Sequence, residues 1–449
     1  MHKIRREIQQ TEECKLVRMD SIWNENVKLP HFKKLEGDAA TDVLIIGGGM
    51  AGILCAYFLQ QEHIKYMLVE KGRICNGITR NTTAKITAQH GLIYHRLLKS
   101  LGTEKARMYL DANQKAIHRY ARLCKKADCD FERKTAYVYS KDNRGKLEEE
   151  ADALSQLGFQ VQITDTDKLP FQTAGAIGFA DQAQFHPLKF ISKIAQGLHI
   201  YENTFVKELA KGTAMTECGK ITFQKMIIAT HFPIDNKHGL YPLKMYQDRS
   251  YVIALENAPQ IDGMYIDEAQ NGLSFRNYKD FLFIGGGSHR TGKKGKNWEE
   301  LRNCARLYYP NMEEKYCWAT QDCMTLDGIP YIGPYSRSMP ECYVAAGFNK
   351  WGMTSSMVSA AILTDLLLER ENPFAPVFHP SRSMIKPQLF INSFEAVSNL
   401  LTLSAKRCPH MGCALRWNKA EHSWDCPCHG SRFDRFGKLL DNPSNGDIM

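Results

Sequence analysis

Residues 42–70 read DVLIIGGGMAGILCAYFLQQEHIKYMLVE, and no other stretch narrows the possible folds of this chain so strongly. A β-branched run, Val43 to Ile46, has the pattern of a buried strand. It meets Gly47-x-Gly49-x-x-Gly52, then a helical pattern, then a second strand ending in Glu70. Each residue type has a physical task. Gly47 permits a tight turn, Gly49 lets the backbone approach a pyrophosphate, and Gly52 lets helix and strand pack closely. The helix N-terminus offers N–H groups and the positive end of its dipole to phosphates. Glu70 follows Gly52 by 18 residues, where a carboxylate binds ribose hydroxyls and favours an unphosphorylated ribose such as that of FAD or NAD. Val43 to Leu59 carries no charge and approaches the length of a membrane span. Its glycines and its change of period predict strand, turn and helix instead.

The segments that follow help to choose the nucleotide. GRICNGITRNTTAKITAQHGLIY (72–94) is dense in Thr, Asn and Gly, as suits a loop that wraps a diphosphate, with Thr82 and Thr83 as candidate contacts. FQKMIIATH (223–231) reads as a buried strand, and DFLFIGGG (280–287) as a strand with glycines. TLDGIPYIGPYSRSMPECYVAAGFNKWGM (325–353) reads as a loop and strand leading through Gly347 to a helix near Gly352. GGGSHRTG (285–292) has Arg290 where a third fingerprint glycine would stand, which argues against a separate NAD(P)H domain. This order resembles the FAD-dependent oxidoreductases of the D-amino-acid oxidase and glycine oxidase superfamily over roughly residues 41–375. The resemblance implies an α/β fold: a Rossmann-like FAD-binding domain interleaved with an α+β substrate domain. It also implies that Gly347 and Gly352 meet the flavin and that Val206 holds the adenine. Some relatives attach flavin to a cysteine, and Cys75 and Cys323 lie in plausible regions, but such cysteines are mostly packed side chains, so noncovalent FAD is expected.

Near the C-terminus stands RCPHMGCALRWNKAEHSWDCPCHGSRFD. Cys408-x-His410 and Cys426-x-x-His429 each mix one thiolate and one imidazole. A tetrahedral zinc site has the same ligand types but usually pairs Cys with Cys and His with His. Mixed pairs suit a Rieske-type 2Fe-2S cluster, in which one iron takes two thiolates and the other two imidazoles. CPHMGC and CPCHGS resemble the cluster loops of Rieske proteins of the cytochrome bc subgroup. That resemblance implies a Cys413–Cys428 disulfide locking the loops and a Ser431 hydroxyl that raises the cluster potential. It further implies that Pro443 stands in for a proline loop shielding the cluster. Where high-potential relatives carry a tyrosine, this chain has Phe433, so an intermediate potential is expected. Only twenty residues follow His429, and the β-sandwich that usually surrounds such loops is mostly missing. The segment is therefore expected to be a small β-rich unit that depends on the body of the chain.

The expected organisation is an N-terminal extension (1–40), the oxidoreductase part (41–375), a connection (376–406) and a shortened Rieske segment (407–449). FAD-binding pieces fall at about 41–100, 175–235 and 318–370, with substrate pieces between them. Across 449 residues, 43% hydrophobic and 24% charged, the net charge of +9 is modest and scattered. The cluster TGKKGK reads as a solvated loop, and no recognition motif accompanies it, which argues against nucleic-acid binding. The N-terminus has no apolar leader pattern and no membrane anchor is visible. Scattered single cysteines such as Cys55, Cys124 and Cys304 point to a reduced compartment, the cytoplasm.

The pairing of a two-electron flavin with a one-electron cluster implies a splitter. A small amine, amino acid or hydroxy acid would reduce the flavin, and electrons would leave singly to an external protein or quinone-like acceptor. A flavin/iron–sulfur electron-transfer reductase without a small organic substrate is the alternative. WATQDCMTLDG lacks the arginine that often binds a substrate carboxylate in such relatives. Arg249, His289, Arg290 and Lys350 are substitutes, and His90 is a candidate acid–base group. His186, before Pro187, is expected to cap a helix.

Overall fold

The computed structural model describes residues 17–235 and 237–448. The first sheet is built on the glycine fingerprint. Strand Ala39–Ile46 lies at its centre, parallel to Tyr66–Val69 on one side and Gly219–Ile228 on the other. Met339–Ala346 extends the parallel array and Tyr331–Ser336 closes the edge antiparallel to it. Parallel strands need both faces covered, which explains why Val43 to Ile46 is apolar throughout. Helix Met50–Gln61 and helix Gly352–Leu367 pack together against this sheet, and their buried residues merge into one core. This is the expected α/β dinucleotide-binding layer.

The second sheet is mostly antiparallel, and three long strands form one end of it. Met245–Glu256 lies between Phe281–Arg290 and Glu313–Thr325. Helix Asn297–Tyr308 packs on two of these strands, while helix Tyr94–Cys124, broken at Gly102, packs against helix Gly352–Leu367. His186 caps helix Pro187–Ile194 as expected, its Nδ1 accepting from Lys189 N at 3.2 Å. The described part of the N-terminal extension, from residue 17, packs on the body: Trp23 is fully buried, and its Nε1 donates to Thr82 O at 2.7 Å.

The third sheet is small. Arg416–Asn418, Ser423–Asp425, Arg432–Asp434 and Leu439–Asp441 form an antiparallel meander. The stretch expected as a connection contains a fifteen-residue helix, Pro387–Leu401. No helix among the described residues is long and apolar enough to cross a membrane.

Candidate active site and cluster-binding segment

A cavity of about 1630 Å³ runs along the C-terminal ends of the parallel strands. It exceeds the roughly 300–1,000 Å³ typical of sites for one small ligand. Gly47, Gly49, Glu70, Thr82, Thr83, Val206 and Gly352 all line it. Gly47 has φ +111°, and a Cβ there would come within 2.6 Å of Ala229 O. A Cβ on Gly52 would sit 1.9 Å from Gly47 O, so this glycine serves packing rather than contact with a ligand. The Glu70 carboxylate accepts from Gly48 N at 2.7 Å and Gly72 N at 3.0 Å, which fixes both turns around the fingerprint. Carboxylate oxygens have further lone pairs, so this pinned group can also accept from a ribose. Thr79 Oγ1 accepts from Met50 N at 3.0 Å and holds the helix start against the loop. These residues fit an FAD dinucleotide. Gly347 departs from expectation. It does not line the cavity; its φ is +72°, and a Cβ would meet Thr325 Cγ2 at 2.3 Å, so it is a turn and packing position.

The other end of the cavity holds the candidate catalytic groups, and the structure sorts them. His90 lines the wall, but both ring nitrogens are engaged: Nδ1 with Tyr109 Oη at 2.6 Å and Nε2 with Thr87 O at 2.8 Å. Its ring stacks on Trp351 at 4.7 Å, and burial drives its pKa down to about 3. It is a neutral ring with both nitrogens engaged, not a free acid or base. Arg249 is absent from the cavity. Its guanidinium makes a two-pronged pair with Glu421, Nε to Oε1 at 2.9 Å and the second nitrogen to Oε2, so it serves the C-terminal segment instead. Lys350 does line the cavity, its Nζ bonded to Asp248 Oδ2 at 3.2 Å and Ser288 Oγ at 2.9 Å. Asn349 and Lys350 both take positive φ. The Asn349 side chain holds this turn, donating to Gly347 O and accepting from Thr325 N at 2.8 Å.

Two lining groups escaped the sequence reading. Asp322, opposite Asp248 in the strand register, has its pKa raised to about 6 by burial, with Lys350 opposing the shift. Lys85 has its pKa lowered to about 7 by burial and by Arg276. Neither belongs to a local motif; the only signal was a charged residue in an otherwise apolar or Thr-rich run.

The cluster segment is assembled by two loops. Cys408 N donates to Cys413 O at 2.9 Å and Cys426 N to Ser431 O at 2.9 Å, closing each loop on itself. Cys408 and Cys426 are buried with their thiols in contact, and both histidines lie beside Cys426. The imidazoles of His410 and His429 face each other edge-on at 4.9 Å. His429 Nδ1 is buried with no hydrogen-bond partner among the described residues, while the backbone of Pro242 bonds the same ring. A buried imidazole nitrogen left over beside two thiols is what a metal ligand requires. The donor set thus fits a 2Fe-2S cluster with two sulfur and two nitrogen ligands. Ser431 is fully buried, accepts from Ser444 N at 3.0 Å and bonds the Cys408 thiol. Cys413 and Cys428 are free thiols here, so the expected disulfide is not formed. Their Sγ atoms lie within 4.8 Å of each other and of Cys426, beyond bonding distance but close enough for a side-chain adjustment to join them.

The body of the chain replaces the missing sandwich. Gln247 Nε2 donates to His429 O at 2.8 Å, and Gln321 Nε2 to Gly430 O at 2.9 Å. Arg290, another substitute substrate anchor, instead clamps Pro427 O at 2.9 Å and Cys428 O at 3.0 Å. A Cβ on Gly430 would strike Gln247 Cβ at 2.6 Å, so the loop needs glycine to approach this closely. Glu421 joins Arg249, Tyr251 Oη at 3.0 Å and Arg432 at 2.8 Å, and Arg432 also binds Asp425 and Asp441. The two arginines hold the Glu421 pKa down to about 2 against the cost of burial. Residues 438–442 and 444–447 continue over the dinucleotide cleft and form part of its wall. Asn442 Nδ2 donates to both Thr230 O and Phe232 O at 2.7 Å.

One short stretch of chain separates cavity from cluster. His231 lines the cavity, and the ring of the next residue, Phe232, stands edge-on to His410 at 6.4 Å and His429 at 6.2 Å.

A dinucleotide cleft joined to a buried Cys/His site defines a flavoprotein oxidoreductase that carries an iron–sulfur module. Residues 42–366 match the FAD dependent oxidoreductase family (DAO), and the chain belongs to it; residues 390–448 match the Rieske 2Fe-2S domain. FAD and a Rieske-type cluster are accordingly its cofactors. YhfW of Bacillus subtilis (strain 168), named as a Rieske 2Fe-2S iron-sulfur protein, is 34% identical over 95% of this chain and 96% of its own. The cytochrome b6-f complex iron-sulfur subunit of Nostoc punctiforme is 49% identical over 37 residues, 8% of this chain and 21% of its own. Glycine oxidase from Geobacillus kaustophilus shares the fold with TM-score 0.65 and 18% identity, covering 77% of this chain and 99% of its own.

Proposed function

We propose that the chain is a dehydrogenase that oxidises a small amine, amino acid or hydroxy acid. It then hands electrons singly to an external protein or quinone-like acceptor. The observation that carries this reading is the thin wall at His231–Phe232, which separates the cavity from both cluster imidazoles. When bound, FAD supplies two-electron hydride acceptance and the cluster one-electron relay. The residues of the chain do the rest. The open cavity leaves room for a substrate beside the dinucleotide, which favours the dehydrogenase over a reductase with a blocked pocket. Asp322 and Lys350 present one carboxylate and one ammonium group to the cavity, suited to orienting a polar substrate. Lys85, poised at about 7, is able to take up or release a proton near neutral pH. The scattered single cysteines favour a reduced compartment such as the cytoplasm.

Anaerobic mixing of the holoprotein with amines, amino acids and hydroxy acids tests the reading. Bleaching of the flavin band followed by the EPR signal of the reduced cluster is expected for one of these classes. Reduction of both centres only by a reduced protein partner, with every small substrate inert, would replace the dehydrogenase with the reductase.

A further inference from the structure

Helix Pro387–Leu401 is amphipathic in the inverse sense. Gln388, Asn392, Glu395 and Asn399 share the stripe that faces the protein. Asn392 donates to Leu243 O at 3.2 Å and accepts from Arg290 at 2.9 Å; Glu395 pairs with Lys293 at 2.7 Å. Asn399 O accepts from Ala414 N at 3.1 Å. Phe390, Phe394, Val397 and Leu401 have the same spacing on the opposite side and are exposed at 68%, 72%, 56% and 77%. Ile385 before the helix, Leu403 after it and Met411 in the ligand loop extend this apolar surface. Scattered exposed apolar residues are ordinary, but a contiguous stripe of this kind marks a surface that something covers.

The surrounding charge indicates what covers it. Residues 383–420 contain Lys386, Lys406, Arg407, Arg416 and Lys419 but a single acid, Glu395, which is already paired. Two copies meeting through this face would bring like charges together, whereas an anionic lipid surface complements both its apolar stripe and its basic rim. We propose that this helix lies in the interface of an anionic lipid bilayer. It does not span the bilayer, since no described helix is long and apolar enough to do so. Gly412 of the ligand loop lies against Leu400, where an added Cβ would be 3.8 Å from its Cδ2. Docking therefore sets the cluster loop, with His410 and Met411, at the membrane surface. The inference rests on the surface alone and stands whether or not the proposed substrate class is correct.

Flotation of the holoprotein with phosphatidylcholine vesicles containing phosphatidylglycerol tests it. The wild type is expected to float and to be released by added salt. Phe394→Glu should weaken binding on the order of tenfold, because it replaces a membrane-buried ring by a charge. Leu307→Glu, at an exposed leucine on another helix, should leave binding unchanged. Flavin and cluster absorption show that the variants remain folded. As a second readout, Phe394→Trp should give a blue-shifted emission on addition of the same vesicles. Failure of the wild type to float, equal flotation of Phe394→Glu, or an unshifted tryptophan would each overturn the proposal. So would a wild-type dimer that Phe394→Glu converts to monomer without any vesicle binding.

Discussion

Removal of one charge should loosen the cluster segment while leaving the flavin site intact. Glu421 is buried between Arg249 of the second sheet and Arg432 of the cluster meander. The depression of its pKa from the ordinary 4.5 to about 2, at about 1.4 kcal/mol per pH unit, corresponds to ~3 kcal/mol of favourable interaction with the carboxylate. Glu421→Gln removes that charge and leaves Arg249 buried without a carboxylate. Breaking a buried pair from one side typically costs about 3–5 kcal/mol, so both routes give a loss of ~3 kcal/mol. Arg432 keeps Asp425 and Asp441, which directs the damage to the seam between sheet and segment. The sign with pH follows from a depressed folded-state pKa. The contribution is complete above the unfolded value near 4.5 and is lost as pH falls toward 2. Urea titrations at several pH values, monitored separately by cluster absorption and flavin fluorescence, measure both effects. The variant should lose its cluster at lower urea than the wild type and lack the steep acid dependence between about 4.5 and 2. A midpoint within ~0.5 kcal/mol of wild type, with the same acid profile, would refute the assignment of this network as the seam.

Three further outcomes follow from named contacts. Cys408→Ser should abolish bound iron and the cluster EPR signal while retaining FAD absorption; a variant that keeps both irons would remove Cys408 from the ligand set. Phe433→Tyr places a hydroxyl among the buried cluster cysteines and should raise the midpoint potential in a redox titration, whereas an unchanged potential would show that the hydroxyl does not reach a cluster sulfur. Asp322→Asn should remove an inflection near pH 6 from the kcat/KM profile, since below that pH the wild-type carboxyl is protonated and loses its charge toward the cavity; an unaltered profile would show that Asp322 has no part in substrate binding.

The sequence by itself determined what depends on neighbours along the chain. Gly47, Gly49, Gly52 and Glu70 act within one strand–turn–helix–strand unit, so their spacing already encodes the cleft. Cys408, His410, Cys426 and His429 lie in two tight loops, so the Rieske character of this segment was also legible. Tertiary structure decided the rest, because the deciding partners are far apart in the chain. Arg249 looked like a substrate anchor until Glu421, 172 residues away, claimed it. His90 looked like an acid–base group until Tyr109 and Thr354 closed around it. The shortened Rieske segment lacks most of the usual sandwich in its own sequence, and Gln247, Gln321 and Arg290 supply the support from strands whose sequence carries no cluster motif. The helix at 387–401 is amphipathic in sequence, but period alone does not say which face turns inward. Only packing decided that its asparagines meet the protein and its phenylalanines the outside, because half-buried Arg290 and the Leu243 carbonyl required polar partners there.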